Sequence, residues 1–249
     1  MSRAWVILKR FGKLLKFVIL CIILTVLTLL IWRTCSTGIP EKLESLSPNV
    51  KLKAAYSEAV KKDKELYVFN QAYDELSRGD SEGYFAVPDA KFIPDANQVQ
   101  IVFRYNNSTI KSLVKDYSLK TTPQKEAELF DVSLVLYIGD YPEDTTSDVS
   151  KENSELQAIR IKPTAGAVRE NTTLYNFYRF TFDLENGAEP LSLKELLADK
   201  QLVAVHVEVY YNQDIDYNEN PYGALCIYDY RHKNKEVELT DTEKEALGG

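Results

Sequence analysis

From Phe17 to Trp32 the chain reads FVILCIILTVLTLLIW, a run of sixteen residues without a charge. Nothing else restricts the fold as much, because such a run is stable only in a membrane or wholly buried in protein. As a helix it covers about 24 Å at roughly 1.5 Å per residue. Counted from Leu14, with the Lys16 ammonium bent back to the headgroups, it reaches 19 residues and about 28 Å, near the ~30 Å hydrocarbon core of a bilayer. Trp32 and Arg33 suit the far interface. Arg3, Lys9, Arg10, Lys13 and Lys16 come before or at its start, which predicts a cytoplasmic N-terminus with the bulk of the chain outside the cell membrane. A cleaved signal peptide is the rival. Its apolar region is shorter, about 7–15 residues, and ends in small residues that WRTCSTG supplies poorly. The expected layout is a basic tail over 1–13, a transmembrane helix over 14–33 and a linker over 34–47. An extracytoplasmic domain over 48–230 and a charged, loose tail over 231–249 complete it.

Charge narrows the partners. The net charge is −7, but residues 1–33 hold six of the 30 Lys and Arg and no acid. The remainder carries 24 basic residues against 37 acidic, a net of −13. Such a domain is repelled by phosphate backbones, which argues against nucleic acid. It is equally unsuited to docking by the field of an anionic membrane surface. The three cysteines, Cys21, Cys35 and Cys226, make no disulfide framework, which fits a bacterial extracytoplasmic domain better than a eukaryotic secreted one. Cys226 reads as a small core residue.

Beyond Glu65 the hydrophobic period is two. Val99, Ile101, Phe103 and Tyr105 share one face of QVQIVFRYN, and Gln98, Gln100, Arg104 and Asn106 the other. DVSLVLYIGD, FYRFTFDL and LVAVHVEVYY alternate in the same way, and shorter candidates lie at 65–71, 84–87, 158–163 and 224–230. About eight strands, apolar on one face, predict a mainly β fold: an antiparallel β-sandwich of immunoglobulin-like size. Short helices are expected after Ser47–Pro48, over 108–117 with Ser108 as cap, and over 192–200. There Ser192 and Glu195 form a capping box.

Groups for catalysis are scarce. His206 falls on a strand's polar face and His232 in the tail, and no nucleophile elbow, phosphate loop, HExxH or CxxC occurs. The expectation is no enzyme and no catalytic residues. One stretch raises a metal question. YYNQDIDYNENPYG, residues 210–223, sets Asp214, Asp216, Asn218 and Asn220 at every second position. An EF-hand loop needs Gly at its sixth position and Glu at its twelfth, where Glu219 and Leu225 stand, so that match fails. A looser calcium cage of Asp214, Asp216, Asn218, Glu219 and Asn220 is the candidate site, weighed against a plain polar turn. Sixteen tyrosines, among them Tyr137, Tyr141, Tyr210, Tyr211, Tyr217, Tyr222, Tyr228 and Tyr230, offer an amphipathic surface for protein or glycan. Half-buried strands explain them equally well.

QVQIVFRYNNST and YYNQDIDYNENPYGALCIYD, together with the N-terminal anchor, resemble a group of single-span, membrane-anchored bacterial proteins to which no activity is assigned. The likeness covers residues 48–230 and implies a bacterial source and an anchored domain. The sequence therefore points to a non-catalytic domain that binds or scaffolds an envelope protein. The alternative is a module for glycan or cell wall, with calcium where the loop provides it.

Overall fold

The alternating segments close into two sheets. The computed structural model describes residues 3–71, 85–106, 108–116, 130–141, 156–164, 167–172, 174–186, 190–211, 221 and 223–248. Its strands are β1 (Phe69–Gln71), β2 (Phe85–Ile93), β3 (Gln98–Asn106), β4 (Phe130–Ile138) and β5 (Gln157–Ile161). They continue with β6 (Val168–Asn171), β7 (Tyr175–Asp183), β8 (Leu202–Tyr211), β9 (Gly223–Asp229) and β10 (Asn234–Glu236). A six-stranded sheet has the order β10-β1-β2-β3-β7-β6 and a four-stranded sheet the order β5-β4-β8-β9. All neighbours are antiparallel. The eight expected strands are present; β6 and β10 are additions.

The inward residues are those the alternation selects. Val99, Ile101 and Phe103 of the larger sheet share one core with Val132, Leu134 and Leu136 of β4 and with Val205, Val207 and Val209 of β8. Phe130 pins the sheets together, with its ring centroid 5.0 Å from both Phe85 and Tyr105 in edge-on contacts. β-Branched and aromatic side chains fill a pleated surface well and lose little freedom there, which is why these segments become strands.

The helices are α1 (Arg3–Thr37), α2 (Glu41–Glu44), α3 (Val50–Lys61), α4 (Thr109–Asp116), α5 (Leu193–Ala198) and α6 (Asp241–Gly248). Within α1, Leu14–Trp32 has a mean hydropathy of 2.9 and none of it is buried. It is long and apolar enough to cross a membrane. α3 is capped by Asn49, whose Oδ1 accepts the Leu52 amide at 3.0 Å, rather than by Ser47. The Ser192 side chain caps α5 as expected, accepting from the Glu195 amide at 3.3 Å.

Two segments depart from expectation. Residues 34–47 are not a bare linker: after α1 and α2 the chain lies along the outer face of the six-stranded sheet, with Leu43 and Leu46 buried. Nor are residues 231–248 of the expected 231–249 tail loose. β10 pairs with β1, Phe69 opposite Glu236, and Leu247 of α6 is buried with Leu52, Leu66, Val68 and Ile93. The cause is the outer face itself. Val68, Ile93, Val102 and Phe177 form apolar patches there, which a two-layer sandwich would leave in water. A third layer, built from the strap at 38–49 with α3 and α6, buries them.

The strap has a direction. Ile39 packs with Val168 and Tyr175 around Leu43, Val102 and Phe177, whereas Asn49 bonds Gln98. β3 runs from Gln98 to Asn106, the latter opposite Tyr175. The strap thus climbs the sheet antiparallel to β3, from the end where α1 joins (the near end) to the end at Gln98 and Asp183 (the far end). Nine strand residues separate the two ends, about 30 Å at roughly 3.3 Å per residue.

Candidate functional site

The most specific polar assembly holds the strap to the sheet. Gln100 clamps Ser47 from both sides: its Oε1 accepts the Ser47 amide at 2.7 Å and its Nε2 donates to the Ser47 carbonyl at 3.0 Å. Gln98 and Asn49 exchange side-chain amide bonds at 2.9 and 3.1 Å. Arg179 donates to the carbonyls of Lys42 at 3.1 Å and Ser45 at 2.5 Å, and Lys91 donates to the Glu44 carbonyl. Glu243 closes the assembly. Its Oε1 accepts the Leu46 amide at 2.7 Å, and its Oε2 accepts the Thr240 amide and hydroxyl at 2.9 Å each. Burial pushes the Glu243 carboxyl up, but the Thr240 and Leu46 amides outweigh it and hold the group below its ordinary range. Every strap amide used here would otherwise be an unpaired donor against a sheet.

At the far end lies a cleft of about 790 Å³ between α3, the 3-10 turn Pro94–Ala96 and α5. Ala55, Ala59, Pro94 and Leu191 give it an apolar floor, and Glu58, Lys62, Lys64, Glu65, Asp95, Lys194 and Glu195 line it with charge. Several of these charges are paired: Lys62 with Glu58 at 2.5 Å and Lys194 with Asp95 at 2.7 Å. Behind the cleft, Lys51 bridges Asp183 at 2.7 Å and Glu185 at 2.5 Å. Asn97 builds the corner. Its φ of 54° is left-handed, a region asparagine tolerates, and its side chain bonds the Leu191 carbonyl at 2.5 Å and the Leu193 amide at 2.7 Å. The turn between β2 and β3 is thereby tied to the entry of α5. Mixed, paired charge around a small apolar floor is unlike the mostly apolar pocket of a small ligand.

A third assembly sits on the outer face of the four-stranded sheet. The Arg160 guanidinium donates to Glu208 Oε2 and to the Tyr210 hydroxyl at 2.6 Å each, and that hydroxyl donates to Glu208 at 2.6 Å. Burial first, then the adjoining carboxylate, pushes the Tyr210 hydroxyl far above its ordinary value. His206 is on the polar face, as the alternation implies, yet it is buried and stands edge-on to Tyr137 at 5.1 Å. The Cys226 thiol, half buried, donates to the Tyr228 carbonyl at 3.3 Å.

Asp214, Asp216, Asn218, Glu219 and Asn220 lie outside the described residues. Among the described residues no group of three or more His, Cys, Asp and Glu is placed to hold a metal. Among the described residues the tyrosines of the candidate surface divide between the two faces of the four-stranded sheet, and Tyr141 meets both Tyr228 and Tyr230. Tyr228 is in the core against Phe92 at 5.6 Å, Tyr210 is buried on the opposite face of its sheet, and Tyr141 pairs with Tyr230 at 4.3 Å. Tyr217 and Tyr222 lie outside the described residues.

The strap clamp escaped the sequence reading because Gln98 and Gln100 looked like a solvated face; both are 3% exposed. One signal was available. Thr240 followed by Glu243 is a capping box, and the reciprocal bond from the Glu243 amide to the Thr240 hydroxyl is present at 3.3 Å. Compared with protein-family models, with curated proteins and with solved structures, the chain matches none.

Proposed function

We propose that the chain is a single-span membrane anchor carrying a non-catalytic extracytoplasmic domain of the bacterial envelope. Its far-end cleft binds a protein partner and holds it at a set height above the bilayer. The single observation behind this reading is the strap. Between the last apolar residue of the span, Trp32, and the first packed residue of the domain, Ile39, stand six residues, and five of them continue α1. A domain that only needed tethering would gain reach from a flexible linker. Here the chain from Ile39 to Asn49 is packed on the sheet instead, which supports a set height for the cleft.

Photo-crosslinking residues at Lys64 and Glu195, with a control at Asn171, test the reading in intact membranes. Both cleft positions are expected to capture one protein of the same mass, the control to miss it, and Lys194→Glu to weaken the capture. Recovery of the chain alone from both cleft positions would contradict the proposal. A flexible insertion after Thr37 is expected to preserve folding and to impair the partner's activity.

A further inference from the structure

The near end of the domain carries a polar and aromatic patch that the cleft does not use. Arg104 lies over the Tyr175 ring, 4.5 Å from its centroid, beside the point where Ile39 enters the fold. α4 leaves β3 at the same end and exposes Lys111 and Lys115, four residues apart and so on one helix face. Lys42, exposed on α2, pairs with Glu170 at 3.0 Å in the same region.

The tether places this patch. α1 continues five residues beyond Trp32, about 7.5 Å at roughly 1.5 Å per residue. Two more residues in extended form bring Ile39 to within about 14 Å of the hydrocarbon edge. The headgroup layer fills roughly 5–8 Å of that gap, and a lysine or tyrosine side chain spans the rest.

From this juxtaposition, and resting on the anchor proposed above, we propose that the near end docks on the bilayer surface. Lys111, Lys115 and the Arg104–Tyr175 pair contact the phosphates of phospholipid headgroups. Tyrosine suits the interface by its apolar ring and polar tip, and cationic side chains suit phosphate. The domain's net charge of −13 outside residues 1–33 opposes attraction by an anionic field, so the contact is local and a zwitterionic lipid suffices. Docking there turns the far-end cleft away from the membrane.

The test uses the full chain in phosphatidylcholine nanodiscs, its three native cysteines changed to serine. A fluorophore is carried by Asn171→Cys at the near end or by Glu195→Cys at the far end, and the quencher is a lipid spin-labelled on its headgroup. Quenching at position 171 is expected to exceed that at 195 several-fold. Lys111→Glu with Lys115→Glu is expected to lower the value at 171 by roughly half, the size of effect two lost exposed ion pairs give. Both residues are exposed, so the thermal midpoint stays put, and 1 M salt is expected to give a similar fall without mutation. Equal quenching at the two labels, or quenching at 171 that neither charge reversal nor salt alters, would overturn the docking while leaving the anchor intact. Failure of the chain to enter nanodiscs would overturn both.

Discussion

The two faces of the six-stranded sheet are packed by different chemistry. Its inner face meets the smaller sheet through Val99, Ile101, Phe103 and Tyr105, a contact almost wholly apolar. Its outer face meets the strap through Gln98, Gln100, Arg179 and Lys91, which bond the strap's backbone and side chains, with Leu43, Val102 and Phe177 as an apolar island. Burial of apolar surface is strong and tolerant of position. Buried hydrogen bonds add little net stability but penalise any arrangement that leaves them unmade. The inner face therefore makes the domain fold, and the outer face makes one strap register better than its neighbours.

That difference can be broken from either side. Phe103→Ala on the inner face should cost about 3–5 kcal/mol and lower the urea midpoint of the whole domain, strap and sheets together. Leu43→Ala on the outer face should cost about 2–4 kcal/mol, felt mainly as release of the strap; a fluorophore at residue 41 would report a transition ahead of the far-ultraviolet signal. Gln100→Ala strands the Ser47 amide and carbonyl and should cost about 1–3 kcal/mol. Gln100→Glu keeps the acceptor but sets a buried carboxylate against the Ser47 carbonyl, so at neutral pH it should cost more than Gln100→Ala by the same melt.

The smallest effect is a pH dependence. Glu243, although buried, is held below its ordinary value of 4.5 by the amides of Thr240 and Leu46. A depressed carboxyl contributes stability that is present above the unfolded value and is lost as pH falls through the folded one. The strap should therefore loosen below about pH 4.5, and Glu243→Gln should flatten that part of the curve. An unchanged curve between pH 6 and pH 3 would remove Glu243 from the clamp. Asp229, opposed by burial but held low by Arg231, loosens in the same acid range, so the comparison must be made against Glu243→Gln rather than against zero.

Much of the fold was legible because period-two alternation reports directly on one buried face: all eight expected strands came from it, and the Ser192 cap came from its spacing to Glu195. What alternation does not reveal is what covers the other face. Glutamine at 98 and 100 reads the same whether it meets water or the backbone at Ser47, since either partner satisfies it. The strap's own pattern, IPEKLESLSPN, is too short to show a period, and the final helix is masked by its many charges although Thr240 and Glu243 announce its start. The cleft depends on three segments distant in sequence, α3, the turn at Pro94 and α5, joined by Asn97; no local spacing encodes such a meeting. The calcium question at Asp214 and Asp216 stays with solution chemistry, where a melt with calcium and then with chelator, compared with Asp214→Asn, is the direct measurement.

Amide hydrogen exchange in the full chain tests the central claim, that the strap belongs to the fold. The Leu46 amide donates to Glu243 and the Ser47 amide to Gln100, each at 2.7 Å. Rigid mounting predicts that both exchange at least about a hundredfold more slowly than an unstructured peptide, with a part of the protection seen in the core strands. Exchange of both amides at the unstructured rate, with the core of β3 and β8 still protected, would contradict it and return residues 38–49 to the role of a linker.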